Sequence, residues 1–549
     1  MLPCLLFEDE HLLVVNKPVG LNTHAPSPFA GEGIYDWLRH REPRWANLAI
    51  IQRLDKETSG VLLFSKTALA NRSLTEQFTK RIVHKKYILL SDRPPPQKEL
   101  VVKTAIVRAG DKYVSRPFQR GGEVAETHFR LIHSPLSAKG KPSEPTSSAQ
   151  LRDLYEIEAK PLTGRTHQIR VHAAEQGFPI LGDTLYGGSP WPRVCLHAAQ
   201  LTLNHPATSE KLTFRALMDF QADPRFALRL ALFDPDDTDA FRLIHGASDK
   251  FPGWYVDLLG DYLLSRHERP LSPAHEAELN RLLKLCSLRG AYHKIWSRQV
   301  HSQSPVEASP QLILGERAPD RFTIKENGVS FDLSFSEGYS VGLFLDQRDN
   351  RRRLLTGHVA SDFPVFITET RAGGSVPKVL NTFAYTCGFS VCAGKAGAQT
   401  TSLDLSKKYL EWGKRNFLLN SLNPAAHDFI YGDVFEWLKR LAKKQRHFDL
   451  ILLDPPTFSR SSEHAVFRVE KDYGKLVASA LPLLKPTGLL FASTNAADWD
   501  PEKFLAAIEN AVDKSKRRIL QRHYVPQPPD FPVSRFEPAY LKTIWLRIS

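Results

Sequence analysis

Short apolar runs bounded by charge, glycine or proline dominate the first 220 residues. The runs at 12–15, 61–64 and 87–90 (LLVV, VLLF and YILL) have the length and composition of β-strands, and helical stretches between them are few. The pattern therefore predicts a strand-rich α+β region. A polar, Pro/Ser-rich stretch at 135–148 predicts a loop without core-forming capacity.

The pattern changes twice further along the chain. Segment 221–239 ends in a DPDD turn and indicates a domain junction. A strand–turn–strand pattern from residue 240 and a helix predicted over 272–288 indicate a small α/β region. Beyond it, strand-like segments at 379–383, 400–404 and 448–454 alternate with amphipathic helical stretches, which predicts βαβ units and a largely parallel sheet. We expect domains at 1–220, 240–335 and 336–549, with a linker at 221–239.

Composition limits the class of binding partner and the cellular compartment that we expect. The 549 residues include 73 Lys and Arg against 60 Asp and Glu, a formal charge of +13 that favours a polyanionic partner such as nucleic acid. The five cysteines are scattered without a CxxC pair, which argues against a disulfide framework or a zinc ribbon. No apolar run of about 18 residues predicts a membrane span. We expect a cytoplasmic protein with neither metal nor membrane.

Three polar motifs stand out in the first region. They are QRLDKETSG with Asp55, KKY with Tyr87, and GRTHQIRVH at 164–172 with Arg170. Each alone has an ordinary explanation, such as a charged turn or a basic helix on a solvated face. Together, in this order and after EDEHLLVVNKPVGL, they resemble the RluA-type pseudouridine synthases, over nearly all of residues 7–215.

The resemblance implies roles for these residues. The reaction breaks the N1–C1′ bond of a uridine, turns the uracil and rejoins it through C5, and it requires neither a cofactor nor a metal. Asp55 would be the carboxylate near C1′, as nucleophile or as base, and Arg170 would keep it ionised. Tyr87 would stack on a uracil extruded from its helix. Gln52 stands where the family usually has His, so we expect altered nucleotide binding rather than lost chemistry.

The last region carries the pattern of a nucleotide-binding sheet. A strand leads into the loop AYTCGF at 384–389, a helix follows, and Asp404 comes about 20 residues on, where an acid suits a ribose diol. The loop lacks GxGxxG, which weighs against NAD. Asp433 follows the third strand and is placed to contact an adenine ring. Asp454 opens DPPTF at the end of the fourth strand, a position that indicates S-adenosylmethionine-dependent methylation of a base nitrogen.

Longer strings in this region resemble one family. FSEGYSVGLFLDQRDNRRRL, NTFAYTCGFSV, LDLSKKYLEWGKRNFLLN and DPPTFS look like the RlmK/RlmI-type large-subunit rRNA methyltransferases, and the resemblance covers about 240–549. It implies a Rossmann-like class I methyltransferase domain that uses S-adenosylmethionine, preceded by a small middle domain. Asp454 would lie at the reacting base. The donor-site residues implied by this resemblance are Phe383, Tyr385, Asp404, Asp433, Gln347 and Arg348.

Cysteine separates two chemistries within that family. Methylation of cytosine at C5 needs a thiolate that adds to C6, and the cytosine-modifying members carry a Cys just after the fifth strand. This chain has Ser493, Thr494 and Asn495 there. We therefore expect methylation of a nitrogen, guanine N7 first, because its lone pair is already nucleophilic.

The sequence thus predicts a multidomain α+β and α/β protein that modifies rRNA twice. The arginines at 351–353 would hold RNA phosphates. Two alternatives stay open: one half is only an RNA-binding module, or the pseudouridylation substrate is tRNA rather than the favoured 23S rRNA.

Overall fold

The computed structural model describes residues 2–117, 124–134, 154–296, 309–338, 340–367, 375–460 and 466–549. The loop predicted at 135–148 lies outside them. The chain divides into two compact units. Unit 1 comprises residues 1–24 and 47–232, and unit 2 comprises residues 25–46 and 233–549. Helix α1 (Ile34–Arg41) lies in the short segment that belongs to unit 2.

Unit 1 is built on one mixed sheet. Its described strands are β1 (Leu5–Glu8), β2 (Leu12–Lys17), β3 (Ala49–Ile50), β4 (Ser59–Ser65), β5 (His84–Ser91), β6 (Glu99–Ala109), β7 (Lys112–Arg116), β8 (Val124–His133), β9 (Tyr155–Pro161), β10 (Leu196–Asn204) and β11 (Lys211–Arg215). The order is β1-β2-β4-β10-β5-β9-β8-β6-β7, with β3 beside β4 and β11 beside β10. Strands β4 and β10 are parallel and the other pairs are antiparallel, so the sheet is mixed and the predicted strand-rich α+β region is confirmed.

Helices cover the sheet of unit 1 and close its cores. They are α2 (Ala68–Thr79), α3 (Gln168–Glu175) and α4 (Pro224–Leu232). Thr67 caps α2 by accepting a hydrogen bond from Ala70 N, and Leu74 then packs on β2 and β4. Helix α4 occupies about half of the predicted linker 221–239, and its side chains Phe226, Leu228 and Leu232 are buried.

The first part of unit 2 is a small sheet with one helix. Its strands, in spatial order, are β12 (Ala240–His245), β13 (Tyr255–Leu259), β14 (Tyr262–His267), β15 (Gly290–Ile295) and β16 (Gln311–Gly315). The helix predicted at 272–288 is α5 (Pro273–Leu285), which begins at the capping residue Ser272. It connects the parallel strands β14 and β15. Two short hairpins follow: β17 (Phe322–Glu326) with β18 (Val329–Leu333), and β19 (His358–Ala360) with β20 (Phe363–Pro364).

The rest of unit 2 is an α/β domain around a seven-stranded sheet. Its strands are β21 (Lys378–Thr382), β22 (Gln399–Asp404), β23 (Asp428–Tyr431), β24 (Phe448–Leu453), β27 (Leu484–Thr494), β28 (Ile519–Val525) and β29 (Lys542–Ile548), and a hairpin adds β25 (Phe458–Arg460) and β26 (Val466–Arg468). Its helices are α6 (Arg348–Thr356), α7 (Gly388–Lys395), α8 (Lys407–Leu419), α9 (Val434–Lys443), α10 (Val469–Ala480) and α11 (Pro501–Lys514).

The order β23-β22-β21-β24-β27-β29-β28 confirms the Rossmann-like prediction. Five strands are parallel, and β29 is antiparallel to both of its neighbours. The strand order reverses between β21 and β24, and ligands of such sheets bind at the carboxyl ends of the strands at this reversal. Within the described part of the chain, no helix is both long enough and apolar enough to traverse a bilayer.

Candidate active sites

The loop between β3 and β4 presents Asp55 at the edge of the unit 1 sheet. Thr23 fixes the residue before it, since its hydroxyl donates to Leu54 O at 2.7 Å and accepts from Leu54 N at 3.0 Å. The Asp55 side chain is 27% exposed. It can therefore be reached from solvent while the backbone that carries it is held in place.

Lys17 supports the same loop from beneath. Its buried ammonium donates to the carbonyl oxygens of Pro18 at 2.9 Å, Leu21 at 2.7 Å and Lys56 at 3.4 Å. Burial lowers the pKa of Lys17 to about 7, opposed by the nearby carboxylates of Glu57 and Asp55. Sequence reasoning assigned no role to this lysine, although a Lys-Pro pair at the end of an apolar strand is a visible signal.

Arg170 on α3 lies beside Asp55, as the sequence predicted. Its Nη1 is 3.7 Å from Asp55 Oδ2 and also 3.7 Å from Glu57 Oε2. Its Nε and Nη2 donate to the two carboxylate oxygens of Asp183, at 2.7 and 2.9 Å. Burial works against the charge, but the hydrogen bond and charge of Asp183 raise the pKa of Arg170 above its ordinary value. Asp183 thus fixes the guanidinium and leaves Nη1 directed at Asp55.

His167 is a second basic group at this carboxylate. It caps α3 in the left-handed conformation (φ 56°), with Nε2 3.9 Å from Asp55 Oδ2 and Nδ1 2.8 Å from the Tyr186 hydroxyl. Burial lowers the pKa of His167, so the ring is neutral near pH 7. The Tyr186 ring also lies 5.1 Å from the Arg170 guanidinium. His167 lies in the motif GRTHQIRVH, but the sequence alone did not reveal that Tyr186 and Asp183 converge with it on Arg170.

Tyr87 on β5 lies between β9 and β10, paired with Ala159 and Ala198. Burial and the charge of Asp55 raise the pKa of its hydroxyl well above the ordinary value, so the phenol is neutral and close enough to sense that carboxylate. Gln52, the departure from the family pattern, donates to Val61 O at 3.4 Å. Its amide is therefore engaged with the backbone of β4.

In unit 2 the loop after β21 has an unusual backbone. Phe383, Tyr385 and Cys387 all have positive φ, at 54°, 49° and 63°. Asp404 at the end of β22 holds the loop, because it accepts hydrogen bonds from Tyr385 N and Ser406 N, both at 2.8 Å. Burial raises the pKa of Asp404, yet its side chain keeps some exposure. A carboxylate fixed in this way fits the diol of a methyl donor's ribose.

Aromatic rings and a capping acid complete this end of the sheet. The Tyr385 ring lies 5.2 Å from that of Phe344 and 4.6 Å from that of Tyr409. Asp433 caps α9 by accepting a hydrogen bond from Glu436 N at 3.1 Å. Tyr385 follows β21, which borders the reversal of strand order, and Asp433 follows β23, two strands further out. The flat rings beside β21 fit the adenosine of a donor.

Asp454, directly after β24, faces neutral donors. Gln347 Nε2 donates to its Oδ2 at 3.2 Å and to Ser493 Oγ at 2.8 Å, and Asn350 holds the Gln347 carbonyl at 2.8 Å. Burial raises the pKa of Asp454 to about 6; the hydrogen bond from Ser493 opposes this rise, and the charge of Asp346 adds to it. Gln347 therefore contacts Asp454, the residue predicted to lie at the methylated base.

The arginine-rich helix α6 is paired within unit 2. Arg348 is wholly buried against Asp530, and its guanidinium lies 4.3 Å from the Phe233 ring. This burial indicates a structural role for Arg348, and its place in the donor site stays a prediction.

The next three arginines, Arg351, Arg352 and Arg353, pair with Glu326, Glu42 and Glu32. The prediction that they hold RNA phosphates is wrong for Arg351 and Arg353, which are each 2% exposed. The prediction fails because successive residues of a helix point in different directions, so each of these arginines meets a different acid of unit 2.

Cys387 and Cys392 of unit 2 are not available as the thiolate that methylation of cytosine C5 needs. Cys387 and Cys392 are buried, and burial raises the pKa of Cys387 to about 12 and that of Cys392 still higher. Neither thiol is ionised near neutral pH, and thiolate is the form that attacks a pyrimidine ring. At the end of β27 the hydroxyl of Ser493 faces Gln347 instead.

Comparison with known proteins places both sites in families. The family described as RNA pseudouridylate synthase matches residues 11–175, and that described as S-adenosylmethionine-dependent methyltransferase matches residues 278–547. A ribosomal RNA large subunit methyltransferase of Deinococcus radiodurans is 33% identical over 336 residues, which are 59% of this chain and 78% of that protein. Ribosomal large subunit pseudouridine synthase C of Salmonella typhi is 35% identical over 230 residues, 40% of this chain and 67% of that protein.

Among solved structures, a methyltransferase complexed with SAH shares 33% identity and a TM-score of 0.48, over 57% of this chain and 76% of that chain. The matches to the two families fall on opposite ends of one polypeptide, in the order that the motifs predicted. The chain therefore belongs to the RNA pseudouridylate synthases through its N-terminal part and to the S-adenosylmethionine-dependent methyltransferases through its C-terminal part.

Proposed function

We propose that this protein modifies large-subunit ribosomal RNA at two nucleotides in the cytoplasm. Unit 1 isomerises a uridine to pseudouridine, and unit 2 methylates a base nitrogen, guanine N7 first, with S-adenosylmethionine. The names of the curated relatives support the RNA class, since one is a ribosomal RNA methyltransferase and the other a ribosomal pseudouridine synthase. The formal charge of +13 is in keeping with a polyanionic substrate.

The observation that carries the isomerase is the position of Arg170 between two carboxylates. Nε and Nη2 of Arg170 both donate to Asp183, while Nη1 lies 3.7 Å from Asp55 Oδ2. That guanidinium is placed to pair with the Asp55 carboxylate, which would act as a nucleophile at C1′ or as a base. The neutral ring of Tyr87 is proposed to stack on the extruded uracil while it turns and rejoins the ribose through C5.

In unit 2 the proposed donor site is the loop after β21 with the acids that follow it. Asp404 would take the ribose diol, Asp433 and the rings of Phe383 and Tyr385 would hold the adenosine, and the bound donor supplies an electrophilic methyl group. Asp454 and Gln347 would orient the target base, and the buried setting excludes water. The lone pair of guanine N7 would bond to that methyl group as the methyl–sulfur bond breaks and S-adenosylhomocysteine leaves, and no proton would have to be removed first.

The burial of both cysteines supports nitrogen over cytosine C5 as the methylated atom. With Cys387 and Cys392 protonated inside the fold and Ser493 at the end of β27, the described residues place no thiolate beside Asp454. A C5 methylation would need one. Mass spectrometry of digested product RNA distinguishes 7-methylguanosine from the other methylated nucleosides.

Two substitutions in the full chain test the proposal together. Asp55→Asn should abolish pseudouridine formation on a large-subunit rRNA fragment and leave methylation intact, because the amide cannot attack or accept a proton. Asp454→Ala should do the reverse. Both products are measured in one digest by mass spectrometry, so each activity controls for the folding of the other variant.

Three outcomes would contradict it. If a wild-type chain isomerised but never methylated, unit 2 would be a binding module. If both activities disappeared in either variant, the two sites would not be separate. If tRNA transcripts were pseudouridylated and rRNA fragments were not, the substrate of unit 1 would be tRNA.

A further inference from the structure

Segment 25–46 lies inside the stretch matched by the RNA pseudouridylate synthase family, yet it folds as part of unit 2. The chain leaves unit 1 after His24 and returns to it at Asn47. A connection of this length between two strands of one sheet could have stayed on that sheet. Its helix α1 packs within unit 2 instead, and the contacts that it makes there indicate what it does.

The apolar side of α1 is fully covered. Ile34, Trp37 and Leu38 are 0%, 2% and 0% exposed, at a spacing that puts them on one face of the helix. Before the helix, the Phe29 ring meets the Tyr524 ring edge to face, at 5.0 Å. Burial of this extent is typical of an integral element rather than a loop lying on a surface.

Polar groups tie the same segment to α6 and β19. Glu42 pairs with Arg352, whose Nε also donates to Arg41 O at 3.4 Å. Arg353 Nη2 lies 3.6 Å from Glu32 Oε1, and the Glu32 carboxylate takes a second partner in its own segment, His40, at 2.6 Å. Burial opposes ionisation, but these cations hold the pKa of Glu32 below its ordinary value.

The opposite face of α6 reaches the proposed methylation site. Gln347, at the start of the helix, donates to Asp454 and Ser493, while Asn350 one turn later holds Gln347 and also bonds Thr543 at 3.2 Å. A nine-residue helix is marginal on its own and depends on tertiary contacts for its position. Whatever packs on the outer face of α6 thus helps to fix Gln347 on the inner one.

Two residues of this segment, with one from β28, have side chains of the types that bind metal ions. Glu32, His40 and His523 each direct one ligand atom to within 4.8 Å of the others. Burial lowers the pKa of His523 well below its ordinary value, and repulsion from the guanidinium groups of Arg353 and Arg39 adds to this effect. Because a divalent cation would meet the same repulsion, ion pairing within unit 2 is the better account of these residues.

We propose that segment 25–46 is a working part of the methyltransferase, with Glu42 and Glu32 as positioning residues that hold α6 and, through it, Gln347 against Asp454. The segment sits within the sequence of the isomerase but serves the other reaction. This inference rests on the proposed methylation by unit 2 and adds a dependence that neither family match implies.

The test exchanges the charges of one ion pair in the full chain. Glu42→Arg and Arg352→Glu each place like charges together, so α6 should shift and the turnover number for methylation should fall roughly tenfold, with the donor dissociation constant within about twofold. The double variant restores the pair with its polarity reversed and should regain most of the rate. Pseudouridine formation by the same molecules should stay within about twofold throughout.

Arg522→Glu is the matched control. It reverses one charge in the same unit and breaks an ion pair with Glu509, at 2.9 Å, but the Arg522 side chain is 66% exposed, and pairs at such a surface contribute little. It should leave both activities unchanged. Hydrogen exchange of the α6 amides gives a readout without catalysis: exchange should quicken in both single variants and slow again in the double variant.

Two results would overturn the inference: unchanged methylation and exchange in both single variants, or a double variant as impaired as the single ones. If the wild-type chain methylated no RNA, the proposed function of unit 2 would fail instead, and the exchange measurement would still decide whether segment 25–46 holds α6.

Discussion

Each of the two candidate sites contains a central aspartate, and the groups around the two carboxylates differ in charge. Asp55 is 27% exposed and faces basic groups, Arg170 at 3.7 Å and His167 at 3.9 Å. Asp454 is more deeply enclosed and takes its hydrogen bonds from an amide and a hydroxyl, those of Gln347 and Ser493. One carboxylate has a dedicated counter-charge, and the other relies on neutral dipoles.

The contrast follows from what each acid is proposed to do. A carboxylate that attacks a sugar or takes a proton must stay charged when RNA displaces the water around it, so a guanidinium fixed by Asp183 is useful. A carboxylate that only orients a base can tolerate a pKa near neutrality. We therefore expect the two activities of one chain to respond differently to charge removal and to pH.

The largest effect should come from Asp183→Asn. The amide cannot match both donors of the buried Arg170 guanidinium, so Nη1 would lose its direction toward Asp55. Pseudouridine formation should fall by about 100-fold or more, and unit 1 should be destabilised by roughly 3–5 kcal/mol, since one partner of a buried pair is lost. Quantitative mass spectrometry and thermal unfolding measure the two effects.

Glu57→Gln supplies the comparison for that variant. Glu57 lies equally close to Arg170 Nη1, at 3.7 Å, but its side chain is 44% exposed, and the change should alter the rate by less than about threefold. Equal losses in both variants would mean that net charge, rather than the orientation of the guanidinium, governs the isomerase.

The pH dependence should separate the two sites next. Because burial raises the pKa of Asp454 to about 6, this carboxylate is ionised at pH 8 and mostly protonated at pH 5. If the ionised form orients the base, methylation should fall about tenfold between these values as the pH is lowered.

Each sample contains pseudouridine made by the same molecules, so the ratio of methylated to isomerised product corrects for RNA binding and for loss of fold. A methylation rate that stays level down to pH 5 would remove Asp454 as the group that titrates.

Ser493→Ala should give the smallest effect and refine the same comparison. The serine hydroxyl lowers the pKa of Asp454, so its removal should move the midpoint of the methylation profile to higher pH. Near pH 6 the rate should drop about threefold, while at pH 8.5 it should change little. Ser479→Ala, whose hydroxyl bonds to Lys475 O within α10, is the control and should leave the profile unmoved. A midpoint displaced downward would contradict the assignment.

Local pattern was enough to predict much of the fold. Strands β2, β4 and β24 contain runs of four consecutive apolar residues that the structure buries on both faces, and such runs are visible without any partner. The pairing of Asp55 with Arg170 was also predicted, from the order of motifs and the family they resemble. In both cases the prediction rests on short sequence patterns, each of which is complete within a few neighbouring residues.

Features that depend on distant partners were missed. Ile34, Trp37 and Leu38 predict a buried helical face, but the sequence does not say which part of the chain covers it. The three arginines at 351–353 look like a solvated run until the fold brings acids from positions 32, 42 and 326 to them. Asp183 was overlooked for the same reason, since the sequence does not show that the fold brings it beside Arg170.

The excursion of residues 25–46 also has a consequence for synthesis. These residues leave the ribosome about 300 residues before α6 does, which at roughly 5–20 residues per second is a delay of about 15–60 s. Throughout that interval the aromatic and aliphatic face of α1 has no finished surface to dock on. The nascent N-terminal half should therefore be a strong client for chaperones that shield apolar helices, and a chain stopped after residue 232 should aggregate where the complete polypeptide does not.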